Sequence, residues 1–389
     1  MKVLHIITDL LLGGAESVLV EVASRGQRDG HANLVVSLTD DQPLGESLRE
    51  TGIRVMALNM RPNRPDPRAI IRLARMIRAE TPDLIQTWMY HGDLLGSVAS
   101  LFAGRPPIVW GIHHTAADPA TLNPRTRQIL KLNARLSRSI PTRIICCAES
   151  AKTSHAEAGY RADRMTVIPN GVDVTRFQPD PAARAELRAE LGLTDNDFLI
   201  GLCARFHPTK DHATFIKAAR DIPDARFLLC GRDVTESNSL LMKMIDEAGI
   251  RSRCHLLGPR NDMPRVYSAL DLLVSSSRSE AFPLTIAEAM ACGRPCVVTD
   301  VGDSAVIIGE TGRVVPAGDP PGMAEAVASL RSLSEGSFHQ LGALARERAE
   351  KLYNLEFSTQ RYWKTYQEIM TRSSPYPSPD GSGGRLPSP

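Results

Sequence analysis

Two glutamates, Glu280 and Glu288, flank the start of a predicted helix. Pro283 suits the first turn of a helix, and the residues that follow it are good helix formers. Because the N–H groups of Leu284 and Thr285 at such a helix start lack acceptors within the helix, they can bind an anion. A phosphate at the helix end, with sugar hydroxyls on the carboxylates, would use all of these groups. Two solvated surface glutamates are the alternative interpretation.

A second pair of charged residues, Arg205 and Lys210, occupies the loop after the predicted strand 198–204. Arginine offers a planar fork of N–H donors and lysine a compact charge, so two such cations in one loop can both reach a diphosphate. Two independent surface cations are the alternative. No metal site is predicted, because the D-x-D pattern of Asp195 and Asp197 precedes the strand instead of following it and is interpreted as a loop cap.

In the first half of the chain, Gly13 and Gly14 follow the predicted strand 3–8 and precede a helix predicted from Ala15 to Gln27. Glycines let the backbone approach a ligand closely, and a helix N-terminus favours an anion. The pair lacks the G-x-G-x-x-G spacing of dinucleotide-binding loops. We interpret it as a ligand-facing loop, with an ordinary strand-to-helix turn as the alternative.

Three histidines, His91, His113 and His114, lie near the ends of predicted strands. A neutral imidazole can hydrogen-bond a sugar hydroxyl. A lone histidine is more often structural, but the adjacent pair at the end of strand 108–113 is well placed for contact with a ligand in a cleft.

Apolar runs of strand length alternate with helical stretches along the chain, which predicts an α/β fold with parallel sheets and helices on both faces. Two Rossmann-like units in series are expected. Ligands of such folds bind at the carboxyl ends of the strands, so two facing units place the site in the cleft between them. The predicted strands are residues 3–8, 32–38, 54–59, 84–88, 108–113, 143–148 and 165–168, then 198–204, 225–230, 254–257, 271–275, 295–299 and 313–315.

The composition is that of an ordinary soluble globular protein, with 389 residues, 42% hydrophobic and 23% charged. A net charge of +2 gives no indication of a nucleic-acid partner. The seven cysteines lie mostly in apolar runs, which predicts reduced thiols in a cytoplasmic protein. No apolar run is long enough to span a bilayer, and the N-terminal segment lacks the pattern of a signal peptide.

Two segments are rich in cations. Residues 61–78 are interpreted as a solvated helix face, whereas residues 124–143 are predicted to form a basic amphipathic helix. A helix of that kind can lie on anionic lipid. Peripheral contact with the inner face of the cytoplasmic membrane is therefore a hypothesis. The predicted apolar side consists of Ile129, Leu132, Leu136 and Ile140.

The block from Glu280 to Pro295, which holds both glutamates and a Gly-x-Pro ending, resembles the signature of glycosyltransferase family 4, a large group of retaining GT-B enzymes. The pattern G-x-x-x-R-x-x-P-x-K-D around Arg205 and Lys210 resembles the pyrophosphate grip of that family. Gly13-Gly14-Ala15-Glu16 resembles its N-terminal motif. The resemblance extends from the first residue to the final predicted helix.

The resemblance implies a role for each candidate residue. Glu288 would hold the ribose hydroxyls, and Glu280 would lie at the donor sugar and its anomeric centre. His113, or His114 one residue further, would contact the sugar. Gly231 and Arg260 fall in segments that resemble the loops holding the nucleotide. The catalytic set is then Glu280, His113, Arg205 and Lys210, with His91 and His114 on the acceptor or sugar side.

The resemblance also implies the domain layout of a GT-B fold. Residues 1–176 would form an acceptor-binding domain and residues 177–355 a domain that binds the nucleotide sugar. A helix over residues 356–372 would cross back to the first domain. The Ser/Pro/Gly-rich residues 373–389 are expected to be disordered.

The implied reaction transfers a hexosyl or N-acetylhexosaminyl group from a nucleotide sugar, with UDP favoured, to a hydroxyl of a glycan or lipid-linked acceptor. It needs no metal or other cofactor, because cations and the helix end stabilise the charge that grows on the leaving diphosphate. Retention can use a same-face route, in which the leaving phosphate deprotonates the acceptor, or a covalent intermediate. The alternatives are a UDP-N-acetylglucosamine 2-epimerase-like GT-B enzyme, which lacks the two-glutamate block, and a catalytically inactive GT-B partner subunit.

Overall fold

The computed structural model describes residues 1–11, 13–61, 66–116 and 124–373 of the chain. In these residues the alternating strands and helices form two sheets in which every strand pairing is parallel. The predicted α/β class is confirmed. Each predicted strand is present, with small shifts at its ends. The predicted disordered tail lies outside the described residues, except for Ser373.

The first sheet has seven strands: β1 (Lys2–Ile7), β2 (Ala32–Ser37), β3 (Arg54–Ala57), β4 (Leu84–Trp88), β5 (Ile108–Ile112), β6 (Arg143–Cys146) and β7 (Met165–Val167). Their order is β3-β2-β1-β4-β5-β6-β7. In register, Ile6 of β1 lies between Val36 of β2 and Thr87 of β4. Strands β1 to β3 extend the sheet to one side and strands β4 to β7 extend it to the other, so the direction in which strands are added reverses between β1 and β4. Ligand sites of open parallel sheets form at such a point.

The second sheet has six strands: β8 (Phe198–Cys203), β9 (Ala225–Cys230), β10 (Cys254–Leu256), β11 (Leu272–Ser275), β12 (Cys296–Thr299) and β13 (Gly312–Val315). Their order is β10-β9-β8-β11-β12-β13, so the reversal falls between β8 and β11. The loops after these two strands carry the charged residues that the sequence singles out.

Helices connect the strands and cover both sheets. They are α1 (Gly14–Arg28), α2 (Leu44–Glu50), α3 (Pro67–Glu80), α4 (Met89–Leu101), α5 (Pro124–Leu136), α6 (Glu149–Glu157), α7 (Pro181–Glu190), α8 (His212–Arg220), α9 (Ser239–Glu247), α10 (Met263–Ala269), α11 (Leu284–Ala291), α12 (Ser304–Ile308), α13 (Pro320–Arg331), α14 (Glu335–Leu352) and α15 (Leu355–Ser373). Local chemistry fixes several starts. Asp319, for example, is followed by proline and accepts the N–H of Gly322 at 3.0 Å.

The last helix, α15, packs against the first sheet's half of the molecule although it follows the second sheet in sequence. Trp363 donates its indole N–H to the carbonyl of Val22 in α1 at 2.9 Å. A Cβ placed on Gly26 of α1 would lie 1.8 Å from Cζ2 of this indole, so only glycine leaves room for the ring. Tyr366 donates its hydroxyl to Oε1 of the fully buried Gln86 in β4 at 2.8 Å. The helix therefore completes the core around β4 and α1.

The buried side of α5 differs from the predicted stripe. Leu130, Asn133 and Ala134 face the core, whereas Leu132 is 41% exposed. A buried hydrogen bond explains the difference. The side-chain amide of Asn133 donates to the carbonyl of Tyr90 at 2.9 Å, and this bond fixes the rotation of α5 about its axis. None of the described helices combines the length and apolar character needed to cross a bilayer. All seven cysteines lie in the described part of the chain, and all are free.

Candidate active site between the two sheets

The loops that follow β8 and β11 are held together by backbone and hydroxyl contacts. Ser276 donates its hydroxyl to the carbonyls of Lys210 and Asp211, at 3.0 Å in each case. The N–H of Arg278 donates to the carbonyl of Thr209 at 2.8 Å, and its guanidinium pairs with Asp211 at 2.7 Å. Because two neighbouring strands end here, residues far apart in sequence lie side by side in one rigid ledge.

At this ledge the ammonium group of Lys210 forms an ion pair with Oε1 of Glu280. Ser277 donates its hydroxyl to the same carboxylate oxygen at 2.7 Å. The side chain of Glu280 is 12% exposed and that of Lys210 is 25% exposed. The structure thus brings together two residues that the sequence suggested for different parts of one ligand. Ser277, which the sequence analysis did not single out, orients the carboxylate.

Arg205 is exposed, and within the described residues its guanidinium forms no hydrogen bond or ion pair that competes with an anionic ligand. Across the cleft lies Glu16, in the first turn of α1. Burial raises the pKa of the Glu16 carboxyl, and the charge of Arg205 acts in the opposite direction. Sequence reasoning passed over Glu16 as part of a motif, because its opposition to Arg205 depends on how the two sheets face each other.

Glu288 lies on α11 and is half-buried. Tyr267 of α10 donates its hydroxyl to Oε2 of Glu288 at 2.7 Å. Burial raises the pKa of the Glu288 carboxyl, and the hydrogen bond from Tyr267 partly offsets this effect. The tyrosine was missed by the sequence analysis. The sequence could have pointed to Tyr267 only through the general rule that a buried tyrosine hydroxyl needs a hydrogen-bond partner.

The predicted anion site at the start of α11 faces the first half of the molecule. Leu284 and Thr285 are the first two residues of this helix, so their N–H groups have no acceptor in the helix itself. A Cβ placed on Gly14 would lie 3.9 Å from Cδ1 of Leu284, which shows that the glycine loop of the first half reaches this point. A further contact joins the halves nearby, since the hydroxyls of Thr115 and Ser279 are 3.4 Å apart.

The N-terminus of α1 already has a carboxylate beside it. A Cβ placed on Gly13 would lie 2.3 Å from Oε2 of Glu16, so the glutamate side chain folds back over the start of its own helix. The Gly13–Gly14 loop therefore lies at the cleft as expected, but the positive end of α1 faces an internal negative charge. This favours α11 over α1 as the helix end that accepts a phosphate.

Gly231 and Gly258 shape the outer wall of the site. Gly231 has φ +151°, and a Cβ there would lie 2.2 Å from the carbonyl oxygen of Ala204 beside Arg205. Its N–H donates to the carbonyl of Gly258 at 2.8 Å. Glycine at position 231 therefore lets the loops after β8, β9 and β10 approach one another. Arg260 lies in the last of these loops, where its Nε donates to Oδ1 of Asp262 at 2.7 Å.

The two adjacent histidines point in different directions, as neighbouring residues at a strand end do. Nε2 of His113 lies 3.5 Å from the hydroxyl of Tyr362 in α15, whereas the His114 ring lies edge-on to Tyr90 at 4.3 Å. Burial lowers the pKa of His113 to about 4 and that of His114 to about 3, so both rings are neutral at pH 7. His91 is exposed at the start of α4.

Family comparisons agree with this geometry. Residues 12–176 match the family model described as Glycosyltransferase Family 4, and residues 197–332 match the one described as Glycosyl transferases group 1. A relative from Escherichia coli, UDP-Gal:alpha-D-GlcNAc-diphosphoundecaprenol alpha-1,3-galactosyltransferase, is 28% identical over 79% of this chain and 81% of its own. A D-inositol 3-phosphate glycosyltransferase of Mycobacterium sp. (strain KMS) is 36% identical, over 43% of this chain and 40% of its own.

Among solved structures, Anabaena Alr3699/HepE in complex with UDP-glucose superposes with a TM-score of 0.83 at 24% identity, over 95% of this chain and 100% of that chain. The fold is that of a GT-B glycosyltransferase. The chain belongs to glycosyltransferase family 4.

Proposed function

We propose that this protein transfers a hexosyl or N-acetylhexosaminyl group from a UDP-sugar to a hydroxyl of a glycan or lipid-linked acceptor, with retention at the anomeric carbon. The observation that carries the proposal is the Lys210–Glu280 pair, which lies where the loops after β8 and β11 meet. Glu288, with its partner Tyr267, lies on α11, the helix that follows the Glu280 loop. The name of the Escherichia coli relative, which specifies a UDP-sugar and a diphosphoundecaprenol-linked acceptor, supports the choice of substrates.

The residues divide the work between charge and position. Arg205, Lys210 and the N-terminus of α11 would stabilise the negative charge that grows on the leaving diphosphate. We propose that they do this without a metal ion. Tyr267 donates to Oε2 of Glu288, so the other carboxylate oxygen, Oε1, would accept hydrogen bonds from the ribose.

Glu280 would accept hydrogen bonds from the donor sugar. Lys210 and Ser277 both bind its Oε1, and two such donors reduce the negative charge available for attack on carbon. This favours the same-face route to retention, in which an oxygen of the leaving diphosphate takes the proton of the acceptor hydroxyl. As the C–O bond to the diphosphate breaks, the acceptor oxygen bonds to the anomeric carbon from the same side. His113 would contribute a neutral hydrogen-bonding ring.

We propose that the first half also contacts an anionic membrane, at the cytoplasmic inner face. Helix α3 packs on α4 and α4 packs on α5, so one surface combines all three helices. It presents exposed apolar side chains, among them Phe102 at 59% exposure, together with many cations. That mixture suits an interface with anionic lipid. The apolar members are Ile71, Leu101, Phe102 and Leu132; exposed basic members are Arg68, Arg75, Arg78, Arg105, Lys131, Arg135 and Arg138.

Ligand-induced thermal stabilisation tests the nucleotide site. The purified protein is heated with UDP, GDP, ADP and a panel of nucleotide sugars, in EDTA. A ligand at a hundred times its dissociation constant should stabilise the fold by about 2.7 kcal/mol. We expect stabilisation by UDP that is lost in Lys210→Ala and kept in Lys217→Ala, an exposed lysine of α8. Absence of stabilisation by every nucleotide, or restoration only when a metal is added, would contradict the proposal of a metal-independent UDP site.

Vesicle sedimentation tests the membrane surface. Phosphatidylcholine vesicles are compared with and without phosphatidylglycerol, at low and high salt. Each cation near an anionic surface contributes about 1 kcal/mol, so reversing Lys131, Arg135 and Arg138 should weaken binding by on the order of a hundredfold or more. Reversal of Lys217, Arg220 and Lys243 in the second half is the matched control. Vesicle binding that does not change with salt concentration, or no binding at all, would contradict the proposal that this surface contacts anionic lipid.

A further inference from the structure

A carboxylate of the second half holds a helix of the first half. Asp303 lies between β12 and α12 and is 7% exposed. Its Oδ2 accepts the N–H of Glu149 at 2.8 Å and its Oδ1 accepts the N–H of Ser150 at 2.9 Å, at the start of α6. These N–H groups lack acceptors within their own helix, and a negative charge is favourable at a helix N-terminus. A single side chain thus joins the two halves through two charge-assisted hydrogen bonds.

On the side of the second half, the same loop is fixed to the backbone of Glu280. The N–H of Asp303 donates to the carbonyl of Ala281 at 2.9 Å. The preceding residue, Gly302, has φ +58°, and a Cβ there would lie 2.4 Å from the carbonyl oxygen of Glu280. The Asp303 loop and the Glu280 loop therefore pack closely against each other.

On the side of the first half, the start of α6 is fixed to the strand that carries His113. The chain passes from β6 through Cys147 into α6, and the N–H of Cys147 donates to the carbonyl of Ile112 at 3.0 Å. Ile112 is the last residue of β5, directly before His113. A short run of contacts, in which the carboxylate of Asp303 is the one side-chain link, therefore leads from Glu280 to His113.

We propose that Asp303 is a positioning residue for glycosyl transfer. It fixes the position of Glu280 in the second half relative to His113 in the first. This inference rests on the proposed function, which places both residues at the donor sugar. The nucleotide contacts of Arg205 and Lys210 lie wholly within the second half. Loss of the Asp303 bonds should therefore impair transfer more than nucleotide binding, because small displacements of reacting groups reduce the rate strongly.

Three variants test the role of Asp303. Asp303→Asn keeps one acceptor oxygen but turns an NH₂ group toward a helix N–H and removes the charge. Asp303→Glu keeps the carboxylate at a longer reach. Asp319→Asn is the matched control, since Asp319 caps α13 inside the second half. Steady-state transfer and calorimetric titration with UDP are measured for each, together with the radius of gyration from X-ray scattering.

We expect Asp303→Asn to lower kcat by between about tenfold and a hundredfold, with the dissociation constant of UDP unchanged within about twofold. The radius of gyration should rise, and Asp303→Glu should recover part of kcat. Wild-type kcat in Asp303→Asn would overturn the inference, as would an equal loss of UDP binding and kcat in both Asp303 variants. The wild-type protein separates this failure from failure of the proposed function: if it neither binds UDP nor transfers a sugar from any UDP-sugar, the proposed function itself is wrong. A wild-type rate in Glu280→Gln would instead remove Glu280 from the donor-sugar site.

Discussion

The ammonium group of Lys210 and the carboxylate of Glu280 are ion-paired across the two loops that leave the neighbouring strands β8 and β11. Both side chains are mostly buried, so each charge is stabilised by the other. In the proposed reaction, the donor diphosphate would share Lys210 with Glu280. The lysine that balances the charge of the Glu280 carboxylate is thus also the one proposed to recognise the donor.

A double-mutant cycle measures this dependence. Lys210→Met leaves the Glu280 carboxylate without its cation and should destabilise the fold, whereas Glu280→Gln in the same background should recover part of the loss. We expect a coupling free energy between about 0.5 and 3 kcal/mol from chemical denaturation at pH 7. Additive effects of the two substitutions would show that the pair does not interact in solution.

Tyr267→Phe removes the hydrogen bond to Glu288 and tests the ribose contact. Because burial raises the pKa of Glu288, the carboxylate form that accepts ribose hydroxyls becomes populated only above the usual pH range of glutamate. Uridine affinity should therefore rise with pH, and in Tyr267→Phe this rise should move to higher pH. Calorimetry with uridine is the measurement, since uridine carries no phosphate that titrates. A pH-independent affinity in both proteins would contradict the assignment.

His113 and His114 are neutral because burial lowers their pKa to about 4 and about 3. The unfolded chain binds protons at these residues below its ordinary pKa of about 6.5, so stability should fall as the pH drops from that value toward 4. Transfer should show no inflection near pH 6.5. We expect His113→Ala to reduce kcat, and His114→Ala to reduce chiefly stability, because its ring packs against Tyr90. The opposite division, read from kcat and thermal unfolding, would assign the sugar contact to His114.

Gly302 and Gly249 form a matched pair of glycines with left-handed backbone, at φ +58° and φ +68°. A Cβ on Gly302 would collide with backbone oxygens of Glu280 and Ala281, whereas one on Gly249 meets nothing within 4 Å. Gly249→Ala should cost only the strain of a left-handed alanine, roughly 1–2 kcal/mol. Gly302→Ala should cost more and should also reduce transfer. Equal losses in denaturation experiments would mean that the two loops do not pack closely.

Asp93 is a buried carboxyl whose Oδ1 accepts the hydroxyl of Thr87 at 2.6 Å, while its Oδ2 has no partner among the described residues. Burial raises its pKa well above the usual value. The folded protein then holds a proton that the unfolded chain releases, so stability falls as pH rises toward the folded pKa. Asp93→Asn should flatten this dependence between pH 5 and 9, measured by denaturation; the exposed Asp246→Asn is the control. A slope unchanged in Asp93→Asn would assign the effect to other groups.

The local sequence pattern was sufficient to place residues that lie just after a strand or near the start of a helix. Arg205, Lys210, Glu280 and Glu288 are of this kind, because parallel strands bring their loops to one edge. The contacts of Asp303 could not be predicted in this way, because its partners Glu149 and Ser150 lie 154 and 153 positions earlier in the sequence. The rotation of α5 was also beyond the pattern. Its apolar spacing fits two faces, and the buried amide of Asn133 decides between them.

The position of Trp363 and Tyr366 has a consequence for synthesis on the ribosome. Domains usually fold in the order in which they emerge. Here the first sheet emerges early, but only α15, which follows the whole second sheet in sequence, covers Gly26 and donates the hydrogen bond to the buried oxygen of Gln86. We expect the second sheet's half to complete its packing first, while the first half stays loosely packed until α15 has emerged.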